Sequence, residues 1–259
     1  TAGSNNAVVS IQMPVDADAS TLYWSNAIGS GIDSGSTGCP LLVDGVLIVC
    51  AGDMICRVDP VSGEILTKAK MDRASSFSIT PPAYANGMVF VGLSDGTIQA
   101  FNAETLQSLW IYHDPLEGQP ITVCGDYLYT GFWRSEESPA NFVCLSITDE
   151  DPARTDEEKT ACWYWTTPGG YYWAGAYACE DYVLVGTDDG ADGSKSMTGS
   201  LLMLDAKTGR LLDKWDGLCG DVRSTICYDK ATDAFCFTTK GGWFCSVKTG
   251  KTSDGWQLR

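Results

Sequence analysis

Several groups of residues have types and spacings that suit chemistry. The stretch "TDDGADGSKSMTGS", Thr187 to Ser200, sets Asp188, Asp189 and Asp192 among glycines, and carboxylates in such a loop can wrap oxygen ligands around calcium. The regular spacing of an EF-hand is missing, and Gly199 stands at the twelfth place counted from Asp188, where that loop carries glutamate. A hydrated loop is the competing reading. Lys195 in the same stretch lacks the glycine pattern and following helix of a phosphate loop. His113, the one histidine, precedes Asp114 in "WIYHDPLEG". A histidine-based triad would rest on it alone, and a solvated loop histidine is the simpler reading. The 33 acidic residues allow a carboxylate pair for polysaccharide hydrolysis or lysis, but the separation of about 5 to 9 Å that glycoside hydrolysis needs is not written in a sequence.

The eleven cysteines are an odd number and include no C-x-x-C pair, so one thiol at least has no partner within the chain and a zinc knuckle is excluded. Several sit inside apolar runs such as "VLIVC", "FVCLS" and "AFCFT", where cysteine acts as a small hydrophobe. Mainly reduced, buried thiols are expected.

Aromatic residues mark the other candidate surface. "CWYWTTPGGYYWAGAY" holds seven Trp and Tyr residues within 15 positions around a Pro-Gly-Gly turn. Strand alternation sends some of them into a core. Tyr171, Tyr172 and Trp173, with Trp133 and Arg134 of "GFWRSEE", are the residues expected at an exposed rim suited to a protein or carbohydrate contact. A formal charge of -16 argues against nucleic acid as a partner, and no apolar run approaches the roughly 18 residues of a membrane-spanning helix.

The elements that must position these groups read as strands. Apolar runs of five to seven residues are bounded by Gly, Asp and Asn, and no amphipathic helix stands out. "CPLLVDGVLIVCAGDMICRVDPVSGEILTKAKM" matches "TPPAYANGMVFVGLSDGTIQAFNAETLQSLWIY" piece by piece, and turn glycines Gly45, Gly87 and Gly125 follow at 42 and 38 residues. A period near 40 with four strands per unit is that of a propeller blade. The copies fall at about 39–71, 80–112, 119–165, 172–215 and 222–256, with strands at 8–29 that close the last sheet or belong to a preceding blade. The acidic stretch 146–165 reads as an insertion with one short helical turn near 156–160. The fold expected is all-β, a single-domain β-propeller of four-stranded antiparallel blades with about five visible, either a whole ring or a fragment of a larger one.

The third turns align as "DPVSGEIL", "NAETLQSLW", "DAKTGRLLDKW" and "SVKTGKTSDGW". Asp or Asn opens an Asx-turn, and Gly63, Gly209 and Gly250 take the left-handed place. Leu106 replaces glycine in the second copy, which requires a different bend or strain. Trp110, Trp215 and Trp256, which end the outgoing strands, are expected to pack between sheets.

The segments "NGMVFVGLSDGTIQAFNAETLQSLW" and "GSLLMLDAKTGRLLDKW" resemble the repeats of pyrroloquinoline-quinone-like (PQQ-like) β-propellers, a group that includes quinoprotein dehydrogenases and bacterial outer-membrane assembly scaffolds. The dehydrogenase branch implies a disulfide between adjacent cysteines over the quinone and Glu, Asn and Asp around calcium. No adjacent cysteines occur here and no ligand residue transfers by a local motif. The resemblance therefore implies a noncatalytic scaffold or binding module, with a quinone- or calcium-dependent oxidoreductase as the alternative. No cofactor is expected apart from calcium at Asp188, Asp189 and Asp192. It also implies a periplasmic, cell-surface or extracellular setting in a bacterium, with further blades or domains in a parent chain.

Overall fold

The computed structural model describes residues 7–12, 21–28, 39–73, 81–191 and 198–259, and among them every regular element is a β-strand. Strands β1 (Ala7–Gln12) and β2 (Thr21–Ala27) form an antiparallel pair. A four-stranded antiparallel sheet follows in chain order, from β3 (Leu41–Val43), β4 (Val46–Ala51), β5 (Met54–Val58) and β6 (Ile65–Lys70). The pattern repeats in β7 (Ala83–Ala85), β8 (Met88–Gly92), β9 (Ile98–Asn102) and β10 (Ser108–Tyr112). Next, β11 (Glu117–Gly118) and β12 (Thr122–Cys124) both pair with β13 (Tyr127–Trp133), and β14 (Ala140–Ser146) continues that sheet. After the two-residue strand β15 (Glu157–Glu158), β16 (Trp163–Thr167) completes it. The next sheet holds β17 (Tyr177–Ala178), β18 (Tyr182–Thr187), β19 (Thr198–Asp205) and β20 (Leu211–Cys219). Finally β21 (Cys227–Asp229), β22 (Ala234–Thr238) and β23 (Phe244–Val247) make a three-stranded sheet, and β24 (Thr249–Thr252) with β25 (Gly255–Leu258) a separate hairpin. The sheets resemble propeller blades.

The chain divides into two compact units, residues 1–113 with 149–158 and residues 114–148 with 159–259. In the first unit, Asp44-Gly45 and Asn86-Gly87 have positive φ at both positions, the type I′ geometry whose twist suits a two-residue hairpin. One core joins Ile48, Ile55, Met71, Val89, Leu93 and Phe101, and a second joins Ile28, Val49, Cys56 and Val58. Burying each large side chain of this kind contributes about 1.5–3 kcal/mol. The acidic insertion contains no helical turn. Its residues Glu157 and Glu158 pair in parallel with Trp110 and Ile111 at the edge of β10, a long-range pairing that local residue preference does not encode.

The Asx-turn reading holds in atomic detail. Asp59 Oδ1 accepts the N–H groups of Val61 and Ser62, Asn102 Oδ1 those of Glu104 and Thr105, and in the second unit Asp205 Oδ1 those of Lys207 and Thr208. The left-handed residue then donates back to the first carbonyl, from Gly63, Leu106 and Gly209 alike, at 2.8–2.9 Å. Leu106 thus keeps the same turn with φ +57° and accepts the strain. It is 1% exposed and belongs to the core of Ile48, Ile55 and Met71.

The two glycines at this place have a second role. A methyl group on Gly63 would collide with the Trp24 ring, and one on Gly209 with the Trp163 ring. Each indole also donates to the turn, Trp24 Nε1 to Pro60 O at 3.1 Å and Trp163 Nε1 to Ala206 O at 3.0 Å. Trp24 therefore meets the Gly63 turn as Trp163 meets the Gly209 turn.

In the second unit one core gathers Tyr129, Phe142, Trp163, Tyr171, Val185 and Leu204, and another Leu184, Met203, Val222, Phe235 and Phe237. Two sequence expectations need correction. Gly250 is not a turn residue: it lies within β24, and the reversal falls at Ser253-Asp254 before Gly255, so β25 pairs with β24 and not with β23. Trp215 is 47% exposed. Met203 faces Asp213 across the ladder, as Cys144 faces Trp163, so the seat of a packing tryptophan is held by Asp213, whose carboxylate accepts Leu258 N–H at 2.7 Å. Trp110 is fully buried as expected, whereas Trp256 is half-buried, edge-on to Tyr182 at 5.0 Å.

Candidate functional site

The site grows from a device used twice in the second unit. Gly131 near the end of β13 and Gly186 near the end of β18 leave slots that a Cβ would fill, and Tyr171 and Val222 from the segments entering the following sheets occupy them. Matching backbone bonds fix both junctions. Tyr171 N–H donates to Phe132 O and Val222 N–H to Thr187 O, while Asp188 N–H donates to Gly170 O and Lys240 N–H to Asp221 O. Trp133 and Asp188 are therefore repeat-related, two residues past the slot glycine. Tyr172 and Arg223 are likewise related, each one residue past the buried pivot. The junctions carry all four to one place.

Arg223 is the hub. Its Nη2 lies 2.7 Å from Asp188 Oδ2, 3.0 Å from Asp221 Oδ2 and 2.9 Å from Glu136 Oε1, and its Nε lies 3.3 Å from Asp188 Oδ1. Lys240 Nζ adds contacts of 3.5 Å to Asp221 and 3.6 Å to Glu136. The side chains of Asp188 and Asp221 are 2% and 1% exposed. Burial is the main cause that pushes the Asp188 carboxyl up to about 7; Asp221 and Glu136 reinforce it and Arg223 opposes it. Burial also works against the Arg223 charge, but its bonds and charges from Glu136, Asp188 and Asp221 outweigh that and hold it above the usual range.

The guanidinium lies 4.9 Å from the centre of the Tyr172 ring, a cation–π contact. Tyr172 in turn stacks with Trp133 at 4.0 Å and with Trp173 at 4.5 Å, the planes within 26° of parallel. Trp173 is 44% exposed and holds φ +56°, a left-handed conformation that is costly for a bulky side chain. Fully buried Gln119 holds it there, accepting the Trp173 N–H at 2.7 Å. Two buried polar atoms at the platform, Trp133 Nε1 and Glu136 Oε2, have no hydrogen-bond partner.

Of the rim expected from sequence, the structure brings Trp133, Tyr172 and Trp173 together and leaves Arg134 exposed beside them in sequence. Tyr171 is not at the rim. It is fully buried, donates its hydroxyl to Trp165 O at 2.9 Å, and serves as the pivot in the Gly131 slot. Asp188 of the calcium candidate is committed to Arg223 through both oxygens. Asp189 is committed to the N–H groups of Ala191 and Thr198 and to the Thr198 hydroxyl. Asp192 lies outside the described residues. Sequence reasoning missed Arg223, Asp221, Glu136, Lys240 and Gln119. Their one signal was "DVR" in the final copy, an arginine beside the apolar residue that enters the sheet.

Among the described residues no group of three His, Cys, Asp or Glu side chains is placed to hold a metal ion. The gathered carboxylates enclose a guanidinium, and the chain has no adjacent cysteines, so these residues do not fit a calcium-bound quinone. His113 bonds Thr97 Oγ1 through Nδ1 at 2.9 Å, while Asp114 accepts the Leu116 N–H. All eleven cysteines are free thiols.

With this geometry in view, the likenesses to known proteins are informative about fold. The family model described as outer membrane protein assembly factor BamB matches residues 11–135. The structure of BamB from Moraxella catarrhalis superposes with a TM-score of 0.56 at 16% identity, covering 98% of this chain and 77% of that one. The quinohemoprotein alcohol dehydrogenase from Comamonas testosteroni gives 0.53 at 14% identity, over 84% of this chain and 40% of that one. A europium-containing methanol dehydrogenase gives 0.56 at 16%, over 83% and 47%. The chain thus spans less than half the length of these dehydrogenases. No curated protein matches it in sequence. An all-β chain with low-identity matches to BamB and to PQQ-dependent dehydrogenase propellers agrees with a PQQ-like propeller repeat protein. Most of the Arg223 site, from Glu136 onward, lies beyond the segment that the family model matches.

Proposed function

We propose that this chain is a noncatalytic binding module that engages a protein partner through the platform of Trp133, Tyr172 and Trp173. The observation that carries this reading is Trp173: a large apolar side chain held partly in solvent, in a strained backbone conformation, by a dedicated buried glutamine. Strain kept at an exposed aromatic is the pattern of a ligand-facing position. Flat rings above an anchored arginine suit the aromatic and backbone groups of a peptide, and Trp and Tyr are the side chains that most often dominate such contacts. The Asp188 oxygens are occupied by Arg223, which makes that carboxyl a structural partner and not a free base. The name of the matching family model, an outer membrane protein assembly factor, and the bacterial source of the BamB structure support a bacterial periplasmic or extracellular setting and a protein partner. The test is selection of a random twelve-residue peptide library on the wild-type protein, followed by affinity measurement on Trp173→Ala and Trp133→Ala. Peptides that lose roughly tenfold or more in affinity on both variants are expected; selected peptides indifferent to both would refute the reading.

A carbohydrate reading is favoured by a different feature, a cleft of about 450 Å³ in the second unit, lined by Trp165, Thr166, Ser200, Lys214 and Asp216. A half-buried indole beside hydroxyls and a Lys–Asp pair offers a stacking face and polar groups for a sugar ring. Glycan-array binding that disappears in Trp165→Ala would support it, and an array without binders would remove it.

A further inference from the structure

Arg57 breaks the repeat. At the place two residues before the third turn, the second, third and fourth copies carry Ala100, Cys144 and Met203, all fully buried, and the fifth carries exposed Phe244. The first copy places an arginine there, on β5 between buried Cys56 and Val58. Arg57 lines a cavity of about 340 Å³ in the first unit, together with Val43, Val46, Ile48, Tyr84 and Asn102. Nη1 donates to Glu104 O at 2.8 Å, which fixes the orientation of the fork. Nε is buried and has no partner. Among the described residues no carboxylate lies in ion-pair range of Arg57, although the chain has 33 acids. A buried N–H left unsatisfied on a half-buried arginine is costly in a folded protein and calls for an explanation.

We infer that this cavity is a binding site for a carboxylate borne on an apolar or aromatic group. A guanidinium edge matches a carboxylate in geometry and charge. Val43, Val46, Ile48 and Tyr84 supply the apolar walls for the group behind it. Asp44 and Glu104 also line the cavity and are exposed at its surface; their charges disfavour a dianion, which selects a carboxylate over a phosphate ester. The volume lies at the lower end of the range for small-ligand sites, enough for one ring and its acid group. Such a group can be a free aromatic acid or the C-terminal residue of a peptide. The site lies in the first unit and is independent of the platform proposed above.

The test titrates ¹⁵N-labelled protein with benzoate, benzamide, acetyl-Gly-Phe and its C-terminal amide, following the Arg57 Nε–H resonance and the binding heat. Saturable binding of benzoate or of acetyl-Gly-Phe is expected, with a shift of the Nε–H resonance and affinity weakened roughly tenfold or more in the neutral amide of each probe. Tighter binding of acetyl-Gly-Phe than of benzoate assigns a peptide C-terminus, and the reverse a free acid. Arg57→Met installs the residue that Met203 supplies at the same repeat position, so the variant has a precedent for folding, and it is expected to abolish binding. Arg57→Lys keeps the charge, loses the fork and should weaken binding severalfold. Absence of saturation with both acids, equal binding of acid and amide, or undiminished binding by Arg57→Met would each overturn the inference.

Discussion

Replacing Arg223 by alanine removes a cation that contacts Asp188, Asp221 and Glu136 together. Two of those carboxylates are at most 2% exposed, and deleting one side of a buried ion pair costs about 3–5 kcal/mol when the other stays charged. The lost cation–π contact on Tyr172 adds about 1 kcal/mol. The loss should depend on pH, and its sign follows from Asp188. Its folded-state pKa of about 7 lies above the usual 3.8, so the folded protein holds the extra proton. The associated stability is full below about pH 4 and declines as pH rises through 7. Without Arg223 the folded pKa climbs further, because the group that lowered it has gone. At pH 5 the Asp188 carboxyl is neutral with or without Arg223 and its ionisation adds nothing to the loss; at pH 8 only the wild type holds it ionised, so the loss is larger there by about 1 kcal/mol. Urea unfolding of wild type, Arg223→Ala, Asp188→Asn and the double variant at both pH values measures this. The double variant should lose the difference between the two pH values, since it no longer carries the Asp188 carboxyl. An Arg223→Ala loss below about 1 kcal/mol, or an equal loss at pH 5 and pH 8, would refute the reasoning.

Other outcomes follow from the same geometry. Leu106→Gly relieves left-handed strain of about 1 kcal/mol but empties a buried site worth about 2–5 kcal/mol, so net destabilisation of about 1–4 kcal/mol is expected in urea unfolding; a more stable variant would contradict the packing described. Gly131→Ala drives a methyl group into Tyr171, with an expected cost of about 1–3 kcal/mol and a change in tryptophan fluorescence as the platform shifts; unchanged stability would show that the slot yields easily. Under native conditions a thiol reagent should label exposed Cys39, Cys162, Cys219 and Cys227 quickly. Buried Cys50, whose pKa burial raises to about 12, together with Cys56 and Cys144, should react only after denaturation; rapid native labelling of Cys50 would contradict the core assignment.

The sheets were legible because each copy states its own turns. Asp44-Gly45, Asn86-Gly87 and the Asp59 and Asp205 turns are local chemistry, visible within ten residues, and recurrence made them certain. What escaped depends on partners far along the chain. Arg223 bonds Asp188 and Glu136 across 35 and 87 residues, and no spacing rule links them. Tyr171 lies in a connection without strand alternation, so its burial followed only from the slot opposite, at Gly131 in "YTGFW". Gly250 had the right residue type for a turn, yet the competing Ser253-Asp254 reversal took the hairpin. Trp215 lies in the middle of β20, two residues further past its turn than Trp110 is past Asn102, so Asp213 and not a tryptophan stands opposite Met203 as Trp110 stands opposite Ala100.

The most direct test of recognition through the departures from the repeat is the affinity of library-selected peptides for wild type against Trp173→Ala, whose fold should be intact because that ring is 44% exposed. A drop of roughly tenfold or more is expected if Trp173 is the anchor. Equal affinity for the two proteins, with both shown folded by circular dichroism, would contradict it.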